Sequence, residues 1–234
     1  METEIPALLR MRQLVSPEDT FTFHSSRMRM KKVTKEELAA MDAESDRCAL
    51  ELSDARVDVM GYACLVAVMA MGPGYHKESQ RRLTQVAADN GSNAKVITSA
   101  GALVNALGVI GAKKVIMVCP YMEPLAETVI EYIEAEGYDV TSHCALHIAD
   151  NLEVGLHDPA KLPGIVAGMP YQDVDAIILS ACVQMPSLPA VAQVEAMTGK
   201  PVITSSIATT YAMLKELGLA TYIPGGGALL SGAY

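Results

Sequence analysis

The sequence contains no tryptophan and only two phenylalanines among its 234 residues, so its core must be built from aliphatic side chains and methionine. It is also short of positive charge, because 18 Lys and Arg stand against 27 Asp and Glu, giving a formal net charge of −9. A surface of this sign repels phosphate backbones, which argues against a nucleic-acid partner. It does not exclude a small anionic substrate, because backbone N–H groups bind anions locally.

Long hydrophobic runs are also missing, since the longest apolar stretches, LVAVMAMG and AIILSA, are too short to cross a bilayer. The N-terminus carries Glu2 and Glu4 and lacks the apolar segment of a signal peptide. The five cysteines form no C-x-x-C pair, and His143 and His147 straddle a predicted strand end. We therefore expect a cytoplasmic protein with no membrane partner, no disulfide framework and no metal site.

Apolar segments typical of strands alternate with helical segments along the chain. The predicted strands are 57–63, 95–100, 113–121, YDVTSHCAL, 174–181 and PVITSS, and Gly137 is the expected C-cap of the helix over 122–137. Apolar strands interleaved with helices predict an α/β fold in which parallel sheets are covered by helices on both faces.

An internal repeat divides the chain into two related halves. VITSAGALVNALGVIGAKKVIMV begins at Val96 and VITSSIATTYAMLKELGLATYIP begins at Val202, and each is preceded by a strand that ends in a cysteine. The repeat predicts two pseudo-symmetric lobes, over 1–104 and 105–218, with 219–234 returning to the first. Because ligands bind beyond the C-terminal strand ends of parallel sheets, Cys64 and Cys182 are expected on opposite walls of one cleft.

Two thiols across a small substrate have a clear chemical use. A thiol at a strand end that opens a helix feels the helix's positive terminus, which favours the thiolate. One thiolate and one thiol can then act as nucleophile and proton donor. A buried cysteine is more often an inert core residue, and we assign Cys48, Cys119 and Cys144 that role. The matching placement of Cys64 and Cys182 favours the catalytic interpretation for these two.

The sequence around the two cysteines resembles the maleate cis-trans isomerases of the aspartate/glutamate racemase superfamily. GYACLVAVMAMG and LSACVQMPSLPAV carry the resemblance, and FHSSRMRM, MDAESDRC, TSAGAL, PYMEPLAE, DNLEVG and PGGGALLSGAY support it. CVQMPSL also resembles arylmalonate decarboxylases, which keep only the later cysteine.

The resemblance implies a reaction in which Cys64 adds to the alkene of maleate and Cys182 protonates the neighbouring carbon. The resulting succinyl-cysteine has a single C–C bond, rotates, and releases fumarate without a cofactor or metal. Tyr121 and Asn151 match positions that orient the substrate, although a strand-end tyrosine and a turn or N-cap residue are plainer interpretations. The resemblance further implies a homodimer and a place in nicotinate degradation.

Other polar groups are candidates for holding the two substrate carboxylates. The backbone N–H groups of Leu65, Val66, Val183 and Gln184 follow the cysteines and are expected at helix N-termini. Arg27 and Arg29 share one face of a predicted strand, where a solvated or structural role is the simpler account.

Other interpretations of the sequence, two kinds of enzyme and one binding protein, stay open. A two-cysteine amino-acid or hydantoin racemase would use both strand-end thiols, and an arylmalonate decarboxylase-like enzyme would use only the later one. A two-lobed binding protein would need no reactive cysteine. The family also begins with a strand and an asparagine-bearing loop upstream of ETEIP, whereas this sequence starts at Met1. We therefore expect roughly 15–20 further residues in frame upstream, the length of one strand and a loop.

Overall fold

The computed structural model describes residues 3–234 as an α/β protein, which confirms the predicted fold class. The strands are β1 Val59–Tyr62, β2 Lys95–Thr98, β3 Lys114–Cys119, β4 Asp139–Ala145, β5 Ala176–Ser180 and β6 Val202–Thr204. The helices are α1 Glu4–Gln13, α2 Lys35–Ala43, α3 Ser45–Asp54, α4 Leu65–Met69, α5 Tyr75–Asp89, α6 Ser99–Val109, α7 Glu123–Ala135, α8 Asn151–Gly155, α9 Leu162–Ala167, α10 Leu188–Thr198 and α11 Ser205–Glu216. Short 3₁₀ turns cover Pro159–Lys161 and Ala228–Leu230.

The strands form two sheets, and every strand pair is parallel. One sheet has the order β4-β3-β5-β6, and the other pairs β1 with β2. All five residues of β5 are buried, as is typical of a parallel strand that helices cover on both faces. The carboxyl ends of β1 and β5 lead directly to Cys64 and Cys182.

The repeated V-I-T-S segments have the same role in both halves. In each, the first three residues belong to the strand beside the cysteine-bearing strand, and the serine begins the next helix. The threonine caps that helix, because Thr98 accepts a hydrogen bond from Gly101 N and Thr204 accepts one from Ile207 N. The helices α6 and α11 then pack against each other.

One predicted strand is absent from the fold. The segment that carries Arg27 and Arg29 forms neither helix nor strand, and the bridge nearest to it joins Lys32 to Asp150. An alternating pattern makes a strand only where a neighbouring strand accepts its hydrogen bonds, and no described strand lies beside this segment. The interpretation of these arginines as members of one strand face was therefore wrong.

Both ends of the described chain meet on the same side of the molecule. Arg12 of α1 donates to the carbonyls of Ala220 and Tyr222, at 2.6 and 3.2 Å, and forms an ion pair with Asp19. Within residues 3–234, no helix has both the length and the apolar character that a membrane span requires.

Candidate active site

A small cavity of about 40 Å³ lies beyond the carboxyl ends of β1, β3 and β5. It brings together all eight residues that the sequence nominated for the site: Cys64, Leu65, Val66, Tyr121, Asn151, Cys182, Val183 and Gln184. Four further residues complete its lining: Met30, Val33, Ala63 and Val154. Sequence reasoning missed these four because aliphatic side chains carry no chemical signal, and only the fold places them here.

Cys64 stands at the junction between a strand and a helix. It is the N-cap of α4, two residues after the end of β1, and its side chain is half-buried. Behind it, Tyr62 donates a hydrogen bond to Asp42 at 3.0 Å, and Tyr75 donates to the other oxygen of the same carboxylate at 2.6 Å. Arg82 lies 3.3 Å from Asp42, so this buried carboxylate is paired.

Burial decides the ionisation of Cys64. It raises the pKa of the Cys64 thiol to about 12, and the nearby Cys182 and Asp42 act in the same direction. The backbone N–H of Ala67, in the first turn of α4, lowers the pKa but does not compensate. The start of α4 therefore favours the thiolate, as expected, but desolvation outweighs it, so the net shift of the pKa is upward.

Cys182 follows β5 in a different local setting. Its backbone N–H donates to Ser180 Oγ at 3.3 Å, and Ser180 Oγ donates to the Cys182 carbonyl at 2.7 Å. The chain continues as a loop, and α10 begins only at Leu188. Val183 and Gln184 consequently lie in this loop, and the expectation that they sit at a helix N-terminus was wrong.

The carboxylate of Glu4 supports the far end of that loop. One of its oxygens accepts hydrogen bonds from the N–H groups of Ser187 and Leu188, both at 2.6 Å. Glu4 therefore caps α10 from another element, where the dipole of the helix favours a negative charge. No local pattern predicts this contact, because it joins residues far apart along the chain.

Tyr121 and Asn151 face the two cysteines. The Tyr121 hydroxyl donates to the carbonyl of Ala181 at 2.8 Å, and burial, followed by the nearby thiols of Cys182 and Cys64, raises its pKa. Asn151 begins α8, which Asp150 caps through the N–H groups of Leu152 and Glu153. The side-chain amide of Gln184 donates to the Asn151 carbonyl, which ties α8 to the loop after Cys182.

The remaining cysteines and the histidines are absent from the lining of this cavity. Cys48 and Cys119 are buried, and burial raises the pKa of Cys119 to about 12. His143 contacts Glu123 at 2.5 Å and His147 lies 3.8 Å from the same carboxylate. Over the described part of the chain, no group of His, Cys, Asp and Glu side chains has the arrangement of a metal site.

Comparison with known proteins identifies the family. The sequence matches the arylmalonate decarboxylase family over residues 14–230. It is 68% identical to the maleate isomerase of Pseudomonas putida over 234 residues, covering all of this chain and 93% of that protein. A solved maleate isomerase variant from another Pseudomonas putida strain, with maleate, matches with a TM-score of 0.98 at 63% identity, over 99% of this chain and 92% of that one.

A Nocardia farcinica maleate cis-trans isomerase has been solved as a cysteine-to-serine mutant with a covalently bound succinylcysteine intermediate. It matches with a TM-score of 0.94 at 44% identity, over 99% of this chain and 93% of that chain. An arylmalonate decarboxylase structure, at 20% identity and a TM-score of 0.72, shares the fold. The chain belongs to the arylmalonate decarboxylase family, on the branch that the maleate isomerases form.

Proposed function

We propose that this protein interconverts maleate and fumarate through a covalent succinyl-cysteine intermediate. The observation that carries the proposal is the placement of two cysteines, each at the end of a parallel strand, in the lining of one small cavity. The succinylcysteine in the Nocardia farcinica relative supports a cysteine as the group that binds the substrate. The full-length similarity to maleate isomerases supports the choice of substrate.

The reaction balances with one thiolate and one thiol. Burial keeps most of the Cys64 sulfur protonated, so its proton passes first to solvent, and the small thiolate fraction adds to one alkene carbon of maleate. An S–C bond forms, and the π electrons move to the neighbouring carbon. That carbon takes the proton of the Cys182 thiol, which becomes a thiolate. Rotation about the new single bond follows, after which the Cys182 thiolate takes a proton back from the same carbon. The S–C bond then breaks, fumarate leaves, and both sulfurs return to their starting state.

The substrate carboxylates are held by neutral groups in this proposal. None of the twelve lining residues carries a positive charge. The first N–H groups of α4, at Leu65 and Val66, have no carbonyl partner within the helix and provide one set of donors. The N–H groups of Val183 and Gln184 provide the second set, from the loop rather than from a helix.

Tyr121 and Asn151 complete the proposed binding groups. The raised pKa keeps the proton on Tyr121 at neutral pH, so its hydroxyl serves as a donor when it turns from the Ala181 carbonyl to a carboxylate. The backbone of Asn151 is held by Gln184, which leaves its amide side chain for the ligand.

The architecture and setting of the protein are further parts of the proposal. We propose two lobes, supported by the separate sheets, with 219–234 returning to α1 through Arg12. The boundary expected at 104/105 falls inside α6, so we place the division after this helix. We also propose a homodimer, supported by the large exposure of Leu14, Leu152 and Leu156, at 80%, 75% and 81%. Sedimentation analysis tests the dimer, and a monomer at micromolar concentration would contradict it.

We also propose that the protein is located in the cytoplasm and takes part in nicotinate degradation.

The decisive experiment is incubation of the purified protein with maleate, followed by proton NMR. Fumarate should appear without added metal or cofactor, and intact-protein mass spectrometry should detect the adduct. Parallel incubations with an arylmalonate, a hydantoin and single amino-acid enantiomers test the other enzymes that use strand-end thiols. Carbon dioxide release or racemisation in place of fumarate would overturn the proposal. Binding of maleate without turnover would favour a binding protein.

A further inference from the structure

The V-I-T-S repeat supplies one buried serine to each cysteine-bearing strand. Ser99, the first residue of α6, donates from its hydroxyl to the carbonyl of Tyr62 at 3.1 Å. Ser205, the first residue of α11, donates from its hydroxyl to the carbonyl of Ser180 at 3.1 Å. Both serines are completely buried. The same residue of the repeat therefore makes the same contact in both halves of the molecule.

The acceptor carbonyls occupy matching positions. Tyr62 and Ser180 are the last residues of β1 and β5, and each stands two residues before a cysteine of the cavity. They are also the last residues in register with the neighbouring strand, where Tyr62 faces Thr98 and Ser180 faces Thr204. Beyond these pairs the pairing with β2 and β6 ends, although Ala181 N still donates to the Val118 carbonyl of β3 at 3.1 Å. Each serine hydroxyl therefore holds the last residue that its strand pairs with the repeat strand, two residues before the cysteine.

Helix capping does not explain these hydroxyls. Thr98 and Thr204 already cap α6 and α11 with their own side chains. Ser99 and Ser205 donate instead across to the neighbouring strand, at the edge of the cavity. The two residues of each Thr-Ser pair thus have separate tasks, one in starting a helix and one in holding a strand end.

We propose that Ser99 and Ser205 are positioning residues, which aim the Cys64 and Cys182 sulfur atoms at one substrate. This inference rests on the proposed function, in which the two sulfurs must reach neighbouring carbons of the same small molecule. Such a reaction is sensitive to geometry, because a misplacement of about 1 Å costs roughly 10²-fold in rate. Each serine is assigned to one cysteine, so their effects are separable.

The chain offers a matched control for each serine. Ser206 follows Ser205, is 1% exposed, and its hydroxyl has no hydrogen-bond partner among residues 3–234. Ser79 of α5 is completely buried and likewise has a hydroxyl without a partner in the described structure. Replacing either with alanine removes the same buried atom as Ser99→Ala or Ser205→Ala, but no hydrogen bond.

The test compares Ser99→Ala, Ser205→Ala, Ser79→Ala and Ser206→Ala by residue-resolved alkylation. Substrate-free protein is treated with iodoacetamide, and the modification rates of Cys64 and Cys182 are measured separately by peptide mass spectrometry. Ser99→Ala should change the Cys64 rate and leave the Cys182 rate unchanged, and Ser205→Ala should do the reverse. With maleate, kcat should fall by about 10–100-fold with little change in KM, because geometry rather than binding is lost. The controls should match the wild type in every measurement.

The outcomes separate this inference from the proposed function. Equal changes at both cysteines in either variant, or variants that behave like their controls, would overturn the assignment of one serine to one cysteine. If the wild type leaves maleate unchanged, the proposed function fails, and the alkylation pattern still decides whether the serines position the thiols. Melting temperatures of all four variants are measured as well. Values close to that of the wild type would show that altered alkylation rates do not arise from unfolding.

Discussion

The strand ends before Cys64 and Cys182 are held in the same way, each by a serine hydroxyl on its last carbonyl. The chain that follows each cysteine differs. After Cys64 the chain enters α4 at once, whereas after Cys182 it forms a loop that ends at α10. The pairing of β1 with β2 is regular to its end, whereas the pairing of β5 with β6 shifts register before Ser180. Both strand ends carry their cysteine to one cavity, and the proposed roles of Cys64 as nucleophile and Cys182 as acid differ in the same way as their surroundings.

Support for the two ends also comes from different places. Behind Cys64, the paired carboxylate of Asp42 holds Tyr62 within the first half of the chain. Behind Cys182, Glu4 of the first helix reaches the loop of the second half. Similar sequence motifs therefore do not imply similar environments. Four changes test how far the two ends differ, and they are taken from the largest expected effect to the smallest.

Removal of the Cys64 sulfur should have the largest effect. Cys64→Ala should abolish conversion of maleate and the mass increase of the adduct, because no other group in the cavity adds to the alkene. Cys64→Ser should fail as well, since a neutral hydroxyl is a weak nucleophile at its ordinary pKa. NMR turnover and intact mass provide the measurements. Substantial turnover by the alanine variant would contradict the covalent mechanism.

Removal of the Cys182 sulfur should slow the reaction without preventing maleate binding. Cys182→Ala retains the nucleophile and loses the proton donor, and loss of a general acid typically costs about 10²–10⁴-fold. Calorimetric binding and kcat distinguish this variant from Cys64→Ala, and Cys48→Ala serves as the control for loss of a buried thiol outside the cavity. Wild-type speed in Cys182→Ala would mean that solvent supplies the proton and that the two-thiol scheme is wrong.

The pH dependence of alkylation should show the buried character of Cys64. Only the thiolate reacts, and a pKa raised to about 12 leaves a small thiolate fraction at neutral pH. The alkylation rate of Cys64 in substrate-free protein should rise roughly tenfold per pH unit between about pH 7 and pH 10, because the thiolate fraction does so below the pKa. A plateau in this range would show a lower pKa. The reference is the alkylation rate of Cys48 in unfolded protein, measured over the same pH range, because a solvent-exposed thiol in an unfolded chain is not shifted by burial.

Weakening the Glu4 contact should have the smallest effect and should act on one end only. Glu4→Gln removes the negative charge from the start of α10, and hydrogen bonds to charged groups contribute about 1.5–3 kcal/mol, which bounds the loss in free energy of unfolding. The alkylation rate of Cys182 should change, while that of Cys64 should not. Chemical denaturation and peptide mass spectrometry measure the two effects, with the exposed Glu18→Gln as control. An equal change in the alkylation rate of Cys64 would show that Glu4→Gln destabilises the whole protein rather than the loop after Cys182.

Much of the fold follows from patterns that are local in the sequence. Apolar strands, Gly137 after α7 and the threonine caps are set by nearest neighbours, so alternation and repeat were enough to predict parallel sheets and helices. The segment around Arg27 was mispredicted because a strand also needs a neighbour, which a local pattern does not contain. The expected helix over AVAQVEAMTG is present as α10, but it begins at Leu188, too late to include Val183 and Gln184, since the length of the loop after Cys182 depends on how α10 packs.

The residues of the candidate site were predictable where they belong to recognisable motifs. Properties that depend on contacts between distant parts of the chain were not predictable. The two cysteines, Tyr121 and Asn151 carry recognisable chemistry. The ionisation of Cys64 was not predictable, because it depends on how completely the fold removes water from the sulfur. The roles of Ser99 and Ser205 had a visible signal in the repeat, but their acceptor carbonyls appear only in three dimensions.

The contact between Glu4 and the loop after Cys182 has a consequence for the order of folding. It joins residues 183 positions apart, and the contacts of Arg12 with the C-terminal segment span 208 and 210 positions. During synthesis the N-terminal helix emerges first, yet its partners are made near the end of translation. Contacts of such long range close late because the chain must first lose loop entropy. We therefore expect the Cys182 end of the candidate site to be completed late in folding, after the sheets have formed.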